Sequence, residues 1–203
     1  MYVRTVYATG DPALIDGALD ATREAAPRLL ATQAGYRGYG LFADRQLGKI
    51  VMGSWWDTQD DQRASDERLR EQRAALLAPF AGTVTTDVWE APVFTPPTHA
   101  GPGAGFRMVQ LSVAHEGEQQ LIDAFRETVL TRLRELPGFE SASLLLDRAA
   151  GRCAVGVLFS DHAALVASRG PQAAVRSEGV RSAGVTLRSL EEFEVVLLDR
   201  PGT

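Results

Sequence analysis

The chain of 203 residues contains no asparagine, a single cysteine and no apolar run long enough to cross a membrane. One cysteine cannot form an intrachain disulfide. Cys153 lies in the apolar stretch Cys153-Ala154-Val155, which predicts a buried structural thiol rather than a nucleophile. The first residues lack the hydrophobic core of a secretion signal, so we expect a cytoplasmic protein without membrane contact.

Clustered basic residues and the common cofactor motifs are also missing. The formal net charge of −5 argues against nucleic acid as a partner, because phosphate binding requires clustered Lys and Arg. No CxxC, HExxH, Walker A or dinucleotide-binding glycine motif occurs, and the glycine-rich stretch 101–105 reads as a linker. We therefore expect neither a metal nor another cofactor.

What the chain does contain is an internal repeat. Residues around one hairpin recur 103 positions later: Gly35-Tyr36, Leu41, Asp44-Arg45, Gly48, Gly53 and Trp56 match Gly138-Phe139, Leu144, Asp147-Arg148, Gly151, Gly156 and Phe159. A second match, of Leu14-Ile15-Asp16 with Leu121-Ile122-Asp123, has an offset of 107 and predicts that one helix differs in length by four residues. A tandem repeat of this size predicts a fused dimer.

Each repeat reads as strand, helix, strand, strand, helix, strand. In the first repeat the pattern predicts strands over 2–8, 36–43, 49–56 and 83–90, with helices over 11–30 and 59–77. This order is the ferredoxin-like split βαβ motif of the α+β class. We expect two such repeats, 1–91 and 106–203, joined by a Pro/Gly-rich linker, 92–105. Their antiparallel sheets should pack into an intrachain dimeric α/β barrel, and further assembly into homo-oligomers stays open.

The second helix of the first repeat carries charges of alternating sign. Pairs such as Asp60–Arg63 and Asp66–Arg70 stand three or four positions apart, and the series extends to Arg73. Such a pattern predicts a solvated helix face, with a partner-binding surface as the alternative.

Alternation along the hairpin of the first repeat predicts two faces. With Leu41 opposite Ile50, one face carries Arg37, Tyr39, Leu41, Ile50, Met52, Ser54 and Trp56. The other carries Tyr36, Gly38, Gly40, Phe42, Val51, Gly53 and Trp55, whose small residues permit close packing or leave a void. The first face is aliphatic in the second repeat, so the first repeat is the better candidate for a pocket. The alternative is that Trp55 and Trp56 are core aromatics.

The pattern Gly-Tyr-x4-Leu-x2-Asp-Arg, followed by Ser54-Trp55-Trp56-Asp57-Thr58 and a polar helix, resembles the antibiotic biosynthesis monooxygenase family of dimeric α/β barrels. In that family a Pro- or Gly-led aromatic opens the second strand, as in Pro137-Gly138-Phe139, and a Trp ends the third. Trp56 matches that Trp, and Phe159 replaces it in the second repeat. The resemblance implies a cofactor-independent oxygenase that acts on phenols or anthrones of aromatic polyketides, with dioxygen as the second substrate.

Within this interpretation the catalytic candidates are Trp56 as a cavity wall, Tyr39 as a hydrogen-bonding or proton-relay group and Arg37 as an anion stabiliser. The roles of Tyr39 and Arg37 rest on strand parity alone. The substrate-binding candidates are Trp55, Tyr36 and Met52. A non-catalytic small-molecule-binding or structural protein of the same fold is the alternative, because Phe159 replaces the tryptophan and no strong acid–base pair is evident.

The haem-degrading branch of the same family uses an Asn, a Trp and an iron-ligating His. The chain has no Asn, and the positions where that His would fall hold Asp66 and Arg169. The histidines present, His99, His115 and His162, lie in the linker, at a strand end and at a helix start. Haem degradation by the family mechanism is therefore not expected.

Overall fold

The computed structural model describes residues 1–200, and for residues 178–183 it describes the backbone alone. The first repeat consists of β1 (Tyr2–Gly10), α1 (Ile15–Ala31), β2 (Tyr36–Asp44), β3 (Lys49–Trp56), α2 (Gln59–Leu77) and β4 (Ala81–Phe94). The second consists of β5 (Gly105–Ser112), α3 (Glu118–Ala124), α4 (Leu130–Arg134), β6 (Phe139–Asp147), β7 (Arg152–Phe159), α5 (His162–Ala167), α6 (Arg169–Ala183) and β8 (Thr186–Asp199). No helix in the described part of the chain is long and apolar enough to span a membrane.

The eight strands form one closed barrel in the order β1-β3-β2-β8-β5-β7-β6-β4. The predicted α+β class and the barrel of two ferredoxin-like repeats are thereby confirmed. Contacts divide the chain into two units, of which the first contains Met1–Trp89 and the end of β8 from Val195, and the second Glu90–Glu194. Both β4 and β8 thus pass from one unit into the other. Strand β4 also continues to Phe94, so the connection to β5 is residues 95–104 rather than the whole of 92–105.

Helices α1 and α2 cover one face of the first unit's sheet. Asp11 accepts a hydrogen bond from the Ala13 N–H at the start of a short 3-10 turn that leads into α1, and Thr58 caps α2 by accepting from the Asp61 N–H. The core beneath these helices includes Ile15, Leu19, Leu41, Ile50 and Trp56. The Tyr39 and Trp56 face of the hairpin therefore packs against helices.

The first helices of the two repeats do not differ in length by four residues, and that prediction is wrong. Helix α1 has 17 residues, and the helical segment at 118–134 starts and ends 103 positions later. A five-residue π-helical turn, Phe125–Val129, joins α3 to α4 within it. The match at 107 was a coincidence of composition, since the buried Leu121 and Ile122 lie 103 positions after Ala18 and Leu19.

The hairpin register differs from the predicted one by two residues. Leu41 pairs with Met52 and Tyr39 with Ser54, because the turn takes up residues 45–48 and closes with Gly48 at a φ of 58°. A shift of two residues leaves each side chain on its predicted face. A β-bulge between Tyr36 and Gly38 breaks this alternation, so that Tyr36 lies opposite Trp56 and shares its face.

The glycines of the opposite face make room for aromatic rings. A Cβ atom on Gly40 would stand 2.6 Å from the Phe42 ring, and one on Gly53 would stand 3.1 Å from the Trp55 ring. The predicted small-residue face therefore serves close packing of aromatic side chains against the strand backbone.

Candidate functional site

A cavity lies under the helices of the first unit. It is bounded by α1, α2 and the hairpin face that carries Tyr39, and it opens to solvent, with a cavity volume of about 50 Å³. Aliphatic side chains such as Val6, Leu30 and Leu69 form most of its wall. The polar side chains that line it are Arg4, Tyr39, Ser54 and Arg73. We call this space the first-repeat cavity; an apolar wall with a few converging polar groups is typical of small-molecule sites.

Tyr39 contributes a buried hydroxyl to this cavity. The residue is 3% exposed, and its Oη has no hydrogen-bond partner in the part of the chain that the structure describes. Burial raises the pKa of Tyr39 well above its ordinary value, and the nearby Arg4 opposes that rise only in part. The hydroxyl is therefore protonated at neutral pH and free to donate a hydrogen bond to a ligand.

Arg4, on β1, is the cation of the cavity. Its guanidinium is 4% exposed and lies over the Trp56 ring, with Cζ 5.4 Å from the ring centroid. Its contact with Asp66 is long, at 3.5 Å between Nη1 and Oδ1. Burial, followed by repulsion from Arg73, lowers the pKa of Arg4 to about 10, so it keeps its charge at neutral pH.

Helix α2 supplies a second arginine and the carboxylate that it contacts. Arg73 Nη2 donates to Asp66 Oδ1 at 2.8 Å, while Arg73 Nη1 is buried without a partner among the described residues. Asp66 and Arg73 are only 20% and 18% exposed. The prediction that the charges of α2 form a solvated face is therefore wrong for these two residues.

Trp56 forms part of the core beside the cavity. It is fully buried, its Nε1 donates to Ser54 Oγ at 3.0 Å, and its ring packs 5.8 Å from that of Tyr36. The Tyr36 hydroxyl in turn donates to Asp199 Oδ2 at 2.6 Å. Burial and this bond both raise the pKa of Tyr36. The Trp56 ring thus positions the Arg4 guanidinium by stacking against it. Tyr36 packs against Trp56 but does not line the cavity.

Arg37 does not reach the cavity, and its placement there by strand parity is wrong. It occupies the β-bulge, its side chain is 62% exposed, and it makes a two-pronged ion pair with Asp57 at 2.6 and 2.7 Å. The bond to Asp57 raises the pKa of Arg37. Of the two remaining predicted residues, Met52 lines the cavity, whereas Trp55 lies on the opposite face of the sheet.

A second cavity occupies the corresponding place in the second unit, with a volume of about 60 Å³ by the same measure. Many of its residues stand 103 positions after residues of the first: Val109, Val129, Leu133, Val155, Gln172 and Arg176 follow Val6, Ala26, Leu30, Met52, Leu69 and Arg73. The polar positions differ, because Ala142 and Val157 replace Tyr39 and Ser54. This second-repeat cavity is therefore almost entirely apolar.

Arg107 lies 103 positions after Arg4 but has many more hydrogen-bond partners. Its Nη1 donates to Ser168 Oγ at 2.9 Å and to Gln172, and its Nη2 donates to the Leu165 carbonyl at 2.9 Å. Nε and Nη2 also bind Glu192 Oε1 at 3.0 and 2.6 Å. Although burial would raise it, the pKa of Glu192 is held below its ordinary value by Arg169 and Arg107. Arg107 is thus a satisfied structural cation.

Other titratable groups offer no second centre. The described residues contain no group of three or more His, Cys, Asp and Glu side chains that could hold a metal ion. Cys153 is buried in the second core, and burial raises the pKa of its thiol to about 12, as its apolar sequence context predicts for a structural thiol.

Sequence reasoning missed Arg4 and Arg73. One signal for them was present, since Arg4 and Arg107 are separated by the repeat offset of 103 and so are Arg73 and Arg176. For Arg4 and Arg107, a charge that recurs at the same place in an otherwise apolar strand indicates a buried position in both repeats.

Removal of the Tyr39 hydroxyl tests whether that group is held for a ligand. Tyr39→Phe is expected to leave the free energy of unfolding unchanged or to raise it by about 1 kcal/mol, because an unpaired buried hydroxyl costs free energy. The matched control is Tyr36→Phe, which loses the bond to Asp199 and should be destabilised by about 1 kcal/mol. Urea unfolding measures both. Equal destabilisation would mean that the Tyr39 hydroxyl has a partner in the native state.

Solved structures share this fold over the whole chain. One is a protein of Lactobacillus acidophilus provisionally assigned as a monooxygenase, with a TM-score of 0.72, 11% identity, and coverage of 99% of this chain and 96% of the other. Another is an anthrone oxidase-like protein, with a TM-score of 0.69, 14% identity, and coverage of 100% and 93%. The resemblance to the dimeric α/β barrels of the antibiotic biosynthesis monooxygenase type is thereby confirmed for the fold.

Sequence relatives match nearly the whole chain at higher identity than these structures do. The uncharacterized protein Rv2558 of Mycobacterium tuberculosis is 30% identical over 200 residues, which cover 97% of this chain and 84% of that protein. No protein-family model matches the chain. The chain belongs to the family of Rv2558.

Proposed function

We propose that the chain is a cofactor-independent monooxygenase that oxygenates a small aromatic phenol or anthrone in the first-repeat cavity. The observation that carries the proposal is a buried cation in an apolar space: Arg4 lies over Trp56 and shares the cavity with the unpaired Tyr39 hydroxyl. A cation fixed in a dry site stabilises an anion far better than one in water does.

The reaction needs the substrate to become an anion. Loss of a proton gives a phenolate or enolate, which supplies the electrons that reduce dioxygen; overall, a CH2 group and O2 become a C=O group and water. Arg4 would stabilise the anion, and the neutral Tyr39 hydroxyl would donate a hydrogen bond to the oxygen that gains charge. No carboxylate or histidine is among the described lining residues, so the proton would leave through the cavity mouth.

Oxygen uptake by metal-stripped protein with anthrone and 1-naphthol tests the proposal. We expect uptake above the spontaneous rate, lowered about 100-fold by Arg4→Met, because the variant removes the charge that stabilises the anion. Trp56→Phe should also lower uptake, since it replaces the indole under Arg4 by a weaker cation–π partner, while the fold accepts Phe at the matching Phe159.

The control for Arg4→Met is Arg176→Met, which removes an arginine from the wall of the second-repeat cavity and should keep the full rate. Absence of uptake with both compounds would reject the oxygenase. Equal loss in the control variant would place the reaction outside the first-repeat cavity.

A non-catalytic binding protein is the second candidate. The observation that favours it is the lack of a general base among the described lining residues of the first-repeat cavity. Saturable binding of 1-naphthol without oxygen uptake would support this alternative.

A further inference from the structure

The polar cluster at the first-repeat cavity carries a net positive charge. Arg4, Arg73 and Arg70 all contact the single carboxylate of Asp66, at 3.5, 2.8 and 3.1 Å. Arg70 is largely exposed, but Arg4 and Arg73 are 4% and 18% exposed. Buried cations are normally balanced by hydrogen-bonded anions, and here one carboxylate serves three guanidinium groups.

The second repeat shows that this fold can satisfy the same arginine completely. Arg107 uses Ser168 and Gln172 as partners, together with Glu192. In the first repeat the residue that matches Gln172 is Leu69, which cannot accept a hydrogen bond. Ser65 matches Ser168, and its hydroxyl is buried without a partner among the described residues. The internal acceptors of Arg107 are thus missing or unused around Arg4.

Unused donors face the same space. The Tyr39 hydroxyl and Arg73 Nη1 are both buried and unpaired in the described structure, and both residues line the cavity. Such groups cost stability unless a ligand satisfies them. The two guanidinium groups provide donors only, the Tyr39 hydroxyl can also donate, and Ser54 already accepts from Trp56, while most of the remaining wall is apolar.

We propose that the first-repeat cavity binds the carboxylate of an apolar or aromatic acid, with Arg4, Arg73 and Tyr39 as its donors. The inference rests on the proposed function in that it adds a carboxylate to the aromatic substrate proposed for the same cavity. A planar carboxylate matches a guanidinium fork, and the aliphatic wall would hold the apolar body. The second-repeat cavity lacks this donor set and takes no such acid.

Calorimetric titration with 2-naphthoate and its neutral isostere 2-naphthamide tests the proposal. We expect 2-naphthoate to bind about 10- to 100-fold more tightly than the amide, because its carboxylate makes charge-assisted hydrogen bonds. Arg73→Met should remove most of this difference and weaken binding of the amide far less than binding of the acid. Tyr39→Phe, which alters no ion pair, should reduce the difference in affinity between acid and amide several-fold. Inorganic phosphate, without an apolar body, should bind at least about 10-fold more weakly than 2-naphthoate.

The control variant is Arg176→Met, which removes the matching arginine of the second repeat and should leave both affinities unchanged. Equal affinity for acid and amide, no binding of 2-naphthoate, or an equal effect of Arg176→Met would each overturn the proposal. Tight phosphate binding would replace it with a site for small inorganic anions. Because 2-naphthoate has no phenol or CH2 group to oxidise, its binding is independent of oxygen uptake, and either proposal can fail alone.

Discussion

Replacement of Arg107 by methionine is expected to lower the free energy of unfolding by about 3–5 kcal/mol, because it removes the cation at the centre of a buried hydrogen-bond network. The arginine is 1% exposed, and it satisfies Glu192, the Ser168 hydroxyl, Gln172 and the Leu165 carbonyl. Methionine fills similar space but offers no donor, so Gln172 loses this buried partner, and Glu192 and the Leu165 carbonyl keep only Arg169 and the Ser168 hydroxyl. Urea unfolding followed by circular dichroism measures the change.

The matched control is Arg4→Met, at the corresponding position of the first repeat. We expect a change of no more than about 1 kcal/mol in either direction, since loss of the 3.5 Å contact with Asp66 and of the contact with Trp56 is offset by relief of burial and of repulsion from Arg73. A large loss of stability in Arg4→Met would show that Arg4 is a structural cation like Arg107. That outcome would remove the basis for placing a ligand beside it.

A double-mutant cycle on Trp56 and Ser54 is expected to show strong coupling. Trp56→Phe should cost about 2 kcal/mol, through lost ring volume and an unpaired Ser54 hydroxyl. Ser54→Val should cost about 1–3 kcal/mol, because it leaves the indole N–H buried without its acceptor. The double variant reproduces the Phe159 and Val157 pair of the second repeat, so it should cost about 1 kcal/mol less than the sum.

Thermal or urea unfolding of the four proteins completes this cycle. Additive costs would mean that the bond between the indole Nε1 and Ser54 Oγ contributes little, and that packing alone holds Trp56. If Trp56→Phe fails to fold, its use in oxygen-uptake assays has no meaning, and Arg4→Met becomes the variant that decides the proposed function.

The order of elements was predictable because it depends on local pattern and on the repeat. The helix around Ile15 and Leu19 and the hairpin around Gly48 follow from apolar spacing and turn chemistry within short windows. The faces of the hairpin were also predictable for Tyr39, Met52 and Trp56, because a register error of two residues preserves parity.

The bulge at Arg37 was not predictable from alternation. One extra residue in β2 reverses the side of every residue before it, which brings Tyr36 onto the Trp56 face and sends Arg37 to solvent. The equivalent break between Phe139 and Ser141 shows that the bulge belongs to the repeat. Strict alternation of faces assumes an unbroken period of two along the strand, so it cannot reveal the bulge.

The sequence by itself determined the duplication, the order of strands and helices, and the face on which Tyr39 and Trp56 lie, because these depend on spacing along the chain. Only the tertiary structure decided which arginines line the cavity. Arg4, on β1, and Arg73, on α2, meet there through packing of distant segments. Whether a buried guanidinium is satisfied, as in Arg107, or left with an unpaired nitrogen, as in Arg73, depends on acceptors from those other segments.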